Sequence, residues 1–170
     1  ASDALDASRE ALDAGADASL PKWSPRAGTP EGKSLWAAAI VAVPEDRRLV
    51  LFGGTSYPEG GARDETWAYS IRDDAWSKLE TIGEIPEPRF CHCMLNLPGR
   101  RELVMFGGRD NSRTMPRTAY TLNLDTLEWR KNPGTAPPGA IGCTRGGMPD
   151  GEGGRAIAFG GASTARGATS

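Results

Sequence analysis

Short stretches of alternating bulky and small residues recur along the chain at a fixed period. Counting back from Trp76, the residues Trp67, Tyr69 and Ile71 alternate with Ala68 and Ser70. Counting back equally from Trp129, Tyr120, Leu122 and Leu124 alternate with Thr121 and Asn123. A two-residue period with one bulky face is the pattern of a half-buried strand. A second marker keeps the same rhythm. The apolar runs Leu49-Val50-Leu51, Leu103-Val104-Met105 and Ala156-Ile157-Ala158 lead into Phe52-Gly53-Gly54, Phe106-Gly107-Gly108 and Phe159-Gly160-Gly161, spaced by 54 and 53 residues. Trp23, Trp76 and Trp129 are spaced by 53 and 53. Two independent markers holding one period identify a repeat architecture.

Segments 35–43 and 90–97 add further strand candidates, and the turn sequences at 44–47 and 98–101 follow them. Each full unit therefore predicts four strands: a (about 35–43 and 90–97), b (48–52 and 102–106), c (66–72 and 118–124) and d (76–79 and 129–132). Four short strands joined by turns make an antiparallel sheet, and tandem sheets of this size are the blades of a β-propeller. The fold class is all-β. The paired glycines ending strand b allow φ > 0 and close backbone approach at the crowded inner part of such a fold. The tryptophan of strand d is expected to wedge against the neighbouring blade. Blades are placed at about 35–80 and 90–132, with a partial third at 140–161, all within a repeat region of 22–170. Trp23 sits where the outer strand of a preceding blade would be, and the next tryptophan of the period would fall beyond Ser170. Two and three-quarter blades cannot close a ring, so a truncated propeller is expected. Open blade edges also favour self-association.

These residues resemble kelch repeats: a double glycine after an apolar strand, an aromatic further on, then a tryptophan 22 residues past Gly54 and 21 past Gly108. Pro88-Arg89 followed by His92 also fits that pattern. The resemblance covers about residues 22–161 and weakens in the third unit, where Gly146-Gly147 and the glycines at 151–154 dilute the strand character. It implies a propeller of the galactose oxidase-like superfamily, a structural role for His92, and partner binding at the loop-bearing face.

Composition changes this picture at the margins. Glycine (22) and proline (13) make about a fifth of the 170 residues, which suits strands and turns. A net charge of −2 with no basic stripe gives no reason to expect nucleic acid. No apolar run is long enough for a transmembrane helix. Residues 1–21 form an acidic, Ala/Asp-rich linker; in the first twenty, four aspartates and Glu10 against Arg9 leave a charge of −4. Its composition predicts a disordered tether, similar to the spacers that follow the signals of envelope proteins and lipoproteins. An extracytoplasmic location, secreted or envelope-tethered, is the corresponding expectation. Three cysteines, Cys91, Cys93 and Cys143, are too few for a disulfide framework; buried free thiols are expected, with a cross-blade Cys93–Cys143 disulfide in an oxidising compartment as the alternative.

Long loops on a rigid scaffold are where binding concentrates. The b–c loops at 55–65 and 109–117 are the longest connections, and Tyr57, Arg63, Asp64, Arg109, Asp110, Asn111 and Arg113 are the candidate ligand-binding residues. No cofactor or metal is expected. In an extended strand Cys91 and Cys93 face one way and His92 the other, so the three cannot close on one tetrahedral ion. With one histidine, no G-x-S-x-G elbow and no phosphate-binding lysine after the 146–154 glycines, catalysis has little support. The functional expectation is a non-catalytic module that presents its loops to a protein or glycan. The alternatives are a piece of a carbohydrate-active enzyme, mutarotase-like or oxidase-like, and a structural spacer.

Overall fold

The computed structural model describes residues 24–32, 34–56, 60–97, 99–112, 114–134, 136, 144–145 and 158–159. Trp23, Tyr57, Arg113, Gly160, Gly161 and the expected linker at 1–21 lie outside the described residues.

Thirteen strands run in chain order among those residues: β1 (Leu35–Trp36), β2 (Ala39–Val43), β3 (Arg48–Phe52), β4 (Thr55–Ser56), β5 (Thr66–Ser70), β6 (Ala75–Lys78), β7 (Ile82–Gly83), β8 (Cys93–Leu97), β9 (Glu102–Phe106), β10 (Ala119–Asn123), β11 (Glu128–Lys131), β12 (Thr144–Arg145) and β13 (Ala158–Phe159). They build one blade in the order β2-β3-β5-β6 and a second in the order β8-β9-β10-β11 with β7 added outside β11. The antiparallel pair β12-β13 belongs to the third unit. The four-strand blades are those that the repeat predicts. Strand a is the exception. It is broken in both blades, because Ala37 and Cys91 take left-handed φ values of 56° and 55°. The first fragment then pairs separately, β1 with β4 in blade 1 and Phe90 with Arg109 in blade 2. Ile71, read as the end of a bulky strand face, lies in the c–d turn and is 46% exposed.

Directly opposed residues share a face of an antiparallel sheet, so the pairing fixes what meets between blades. Met94, Leu103, Met105, Tyr120, Leu122 and Trp129 lie on the near face of blade 2 and pack with Ala39, Val43, Val50 and Phe52 on the far face of blade 1 in one buried cluster. Trp129 is fully buried there. Its ring meets Phe52 edge-on at 5.3 Å, and its Nε1 donates to Thr66 Oγ1 at 3.4 Å. The expected wedge between blades is thus present at Trp129. Cys93, Leu95, Phe106 and Ala136 form a second cluster on the opposite side of blade 2.

The segment joining the blades supplies β7, an element the hydrophobic pattern does not announce. It runs parallel to β11, with Ile82 N donating to Leu127 O at 3.0 Å and Glu84 N to Trp129 O at 2.8 Å. This covers backbone groups of an outer strand that would otherwise be an open edge.

Gly53, Gly54, Gly107 and Gly108 all have positive φ, between 63° and 94°. A Cβ on Gly53 would lie 2.5 Å from the carbonyl oxygen of Arg89, and one on Gly108 would lie 2.7 Å from the oxygen of Phe90. Both neighbours are backbone and cannot step aside. Gly53→Ala should therefore destabilise the chain by about 2–3 kcal/mol in urea unfolding. Gly99→Ala should cost about 1 kcal/mol, since that glycine also has positive φ but has nothing within 4 Å of the added methyl.

Candidate functional site

The glycine pairs turn each chain out of strand b into its b–c loop, and backbone hydrogen bonds then fold the loop back. In blade 1, Gly53 N donates to Glu65 O (3.1 Å), Arg63 N to Gly54 O (3.0 Å) and Gly60 N to Ser56 O (2.9 Å). In blade 2, Phe90 and Arg109 exchange backbone bonds of 2.9 and 2.8 Å. The Asp110 carboxylate accepts from Thr114 N at 2.9 Å and from the Thr114 hydroxyl. That hydroxyl, acting against burial, holds the Asp110 carboxyl below its ordinary value. The two loops also meet: Ala62 N donates to Asn111 Oδ1 at 2.6 Å.

These contacts divide the candidate residues by task. Asp110 and Asn111 hold loop geometry. Arg63 is 24% exposed, with its guanidinium 3.6 Å from Glu65 and donating to Ser56 Oγ at 3.3 Å, so its charge is largely compensated. Asp64 is exposed. Arg109 is half-buried, with its Nε shielded from water and without a hydrogen-bond partner among the described residues. The structure therefore brings Arg63, Asp64, Arg109, Asp110 and Asn111 to one end of the two blades and joins their loops through one bond.

Two further features belong to this end. Arg89, fully buried, is the hub between the blades. Its N donates to Arg63 O (3.0 Å) and its O accepts from Gly54 N (2.9 Å). Its guanidinium donates to Gly107 O (3.2 Å), to Thr118 Oγ1 (3.4 Å) and to the Glu87 carboxylate, and lies 5.4 Å over the Tyr120 ring. Burial raises the Glu87 carboxyl, but a backbone N–H, the Tyr120 hydroxyl and Arg89 outweigh it and leave the group below its ordinary value. Burial and the same carboxylate push Tyr120 up. In the sequence, Arg89 stands out only as the second residue of the Pro88-Arg89 step. Trp36 is the other omission: 56% exposed, it stands 6.5 Å from Phe90, which occupies the same repeat position.

Double-glycine hinges and strand-d tryptophans now stand in register in two successive sheets, with the buried Arg89 and the interlocked Trp129 at the junction between them. Residues 37–169 match the model of the KLHDC2/KLHL20/DRC7 Kelch-repeats domain. The chain belongs to the kelch-repeat family. Relatives of this kelch chain include Dynein regulatory complex subunit 7 of Chlamydomonas reinhardtii, 32% identical over 91 residues, 52% of the chain and 8% of that protein. Adagio protein 3 of Arabidopsis thaliana is 31% identical over 133 residues, 74% of the chain and 21% of that protein. Human Host cell factor 2 is 30% identical over 95 residues, 48% and 11% of the two chains. The chain thus spans about a fifth or less of these relatives. Among solved structures, that of YjhT superposes with a TM-score of 0.60 at 17% identity, covering 74% of this chain and 44% of the other; the likeness is one of fold.

His92 of the kelch pattern is 4% exposed and stands edge-on to Phe52 at 5.5 Å. Its Cε1 would be 3.1 Å from a Cβ on Gly53, and its own Cβ 2.7 Å from one on Gly108. It is thus clamped between the glycine pairs of both blades. Two expectations about its neighbours need correction. Cys91 leaves the strand at positive φ, so strict alternation does not describe the Cys91-His92-Cys93 run. Cys93 is disulfide-bonded, not a free thiol, and its partner lies outside the described residues; Cys91 is free. Among the described residues no three His, Cys, Asp or Glu side chains gather closely enough to hold a metal.

The opposite end carries the tight turns and an ion network between blades. Arg101 donates to both oxygens of Asp46 (2.7 and 3.3 Å) and to Asp125 (2.9 Å), while Arg48 reaches Asp46 at 2.7 Å. The Arg101 hydrogen bond leads in holding the Asp46 carboxyl below its ordinary value. A lowered folded-state pKa contributes stability that is fully present above the usual carboxylate range and is lost as pH falls through the lower folded value. Arg101→Gln should move the Asp46 carboxyl resonance back towards the ordinary range in an NMR titration. The same change should flatten the acid-side loss of stability below about pH 4.

Proposed function

We propose that this kelch chain is a non-catalytic binding module whose b–c loop end engages a protein partner. The observation that carries the reading is the bond between the two loops, Ala62 N to Asn111 Oδ1. It makes adjacent loops one continuous surface fixed to the glycine hinges, with the exposed Asp64 and Trp36 ring and the half-buried Arg109 beside it. A preorganised surface keeps more of its contact energy, because less ordering accompanies binding. Arginine and tryptophan are also the side chains enriched at binding hot spots. The protein's one histidine is buried between the blades, away from any surface where it could serve as a general base. One relative is named as a subunit of a complex, which is consistent with partner binding. A glycan partner, and an enzymatic role of the kind some galactose oxidase-like propellers have, are the readings this proposal competes with.

The proposed location is outside the cytoplasm. Disulfides persist in oxidising compartments, and the bonded state of Cys93 supports that reading. Mass analysis of alkylated native protein under non-reducing conditions should leave Cys93 unmodified and Cys91 labelled.

Binding to a partner identified by crosslinking of the full-length protein tests the function. Asp64→Ala with Arg109→Ala should weaken it at least about tenfold, each replacement costing about 1–2 kcal/mol, while circular dichroism and Tm stay near the parent's. Unchanged affinity in that variant, or turnover of glycans by the native protein, would remove the proposal.

A further inference from the structure

Blade 2 differs in chemistry from blade 1 on the outer half of its far face. Where blade 1 has Ala68, Ser77 and Leu79, the matching positions of blade 2 are Thr121, Arg130 and Asn132. Ala68 is buried, and Leu79 packs against the cluster between the blades. Their counterparts are a hydroxyl and an amide, with a guanidinium in place of Ser77. A guanidinium on a face used elsewhere for apolar contact is unfavourable unless it is solvated or paired.

Thr121 lies directly opposite Arg130 in the β10–β11 pair, and Asn123, two residues on, lies opposite Glu102. Residues two apart on a strand share a face, so Thr121, Arg130 and Glu102 point the same way. With Arg100 of the a–b turn, Lys131 and Asn132, they line a cavity of about 270 Å³. Three cations therefore face one carboxylate. Glu102 is only 15% exposed and stands between the two guanidiniums, 3.1 Å from Arg100 Nε and 3.9 Å from Arg130. Arg100 and Arg130 keep 52% and 56% of their side chains exposed, so solvent reaches both. Glu102 thus holds two cations close together without cancelling the charge of the cavity.

The neutral groups complete a set of donors. The Thr121 hydroxyl donates to Asn132 Oδ1 at 2.9 Å. With that oxygen engaged, the amide offers its N–H groups. The Glu84 carboxylate takes Lys131 N–H at 2.9 Å and ties the end of β11 to the connector. Guanidinium, ammonium and amide donors converging with excess positive charge match an oxygen-rich anion, since charge-assisted bonds to such an acceptor are the strong ones.

We propose that this cavity binds a dianionic phosphate or sulfate group, free or carried by a small ester. Its volume lies just below the range of small-molecule sites, about 300–1,000 Å³, which limits the ester to a body of roughly one sugar ring. The site is built from β9, β10, β11 and the a–b turn, not from the b–c loops, so it stands independently of the partner surface proposed above.

Calorimetric titration of the full chain, at an ionic strength held constant with chloride, tests the assignment with inorganic phosphate, glucose 6-phosphate and glucose as probes. Both phosphate probes should saturate below about 10 mM, and glucose should not bind. Tighter binding of glucose 6-phosphate than of phosphate identifies an ester as the ligand; equal or weaker binding identifies the free anion. Arg130→Gln with Lys131→Gln should weaken phosphate binding at least about tenfold. Tm in chloride should stay near the parent's, because both side chains are exposed. Arg47→Gln with Arg72→Gln removes the same charge from exposed positions of blade 1 and should leave affinity within about twofold. Failure of both phosphate probes to saturate by about 10 mM overturns the proposal. So does equal weakening by the two double variants, which reduces the attraction to net charge, or binding of glucose as tight as that of its phosphate.

Discussion

The structure depends on one close approach: the chain at residues 89–92 runs against the glycine pairs that end strand b in both blades. The carbonyl of Arg89 takes Gly54 N–H while a Cβ on Gly53 would strike that same oxygen. The carbonyl of Phe90 and the Cβ of His92 stand equally close to Gly108. Backbone packed this tightly leaves no room for water. Its polar groups must therefore satisfy one another, or they would be orphaned. The left-handed breaks at Ala37 and Cys91 follow from the same crowding at the start of strand a.

Arg89 shows how such a junction tolerates a charge. A fully buried guanidinium is unfavourable unless its donors are used and a counter-charge is near. Here the backbone oxygens of Glu87 and Gly107, the Thr118 hydroxyl and the Glu87 carboxylate use them, and the Tyr120 ring supplies a face. Glu87 itself keeps 55% of its side chain exposed, so one member of the pair retains solvation. The arginine thereby ties three separate segments, the first loop, the connector and the second glycine pair, into one rigid base for the surface above.

Blade-to-blade contact combines an apolar centre with polar ends. Phe52 and Trp129 meet within the buried cluster, with the Arg89 group towards the loops and the Asp46–Arg101–Asp125 network towards the turns. Apolar packing between sheets is nearly indifferent to which blade arrives, since many hydrophobic surfaces of similar shape would fit. The ion pairs and the indole hydrogen bond are not indifferent, because a misplaced charge or donor is left without a partner. Successive blades can thus share one architecture while differing in which neighbour they accept.

Much of this was legible in the residues. Two markers with one period, Phe-Gly-Gly and tryptophan, placed the four strands of each blade to within a few residues and named the glycines that need positive φ. Periodicity reports burial of side chains, and burial is what a sheet face imposes on a sequence. The division of labour in the loops was not legible. Arg63, Asp110 and Asn111 read as candidate ligand-binding residues, yet Ser56, Thr114 and Ala62 are their hydrogen-bond partners. Nor did the pattern show β7, whose two residues pair through backbone alone, or the oxidised state of Cys93, which needs two sulfurs brought together in space. By itself the sequence determined the repeat, the strands and the glycine hinges, because local sterics and side-chain alternation act between near neighbours. Only the tertiary structure decided how the two loops join, because the Ala62–Asn111 hydrogen bond links residues 49 positions apart and leaves no local trace in either segment.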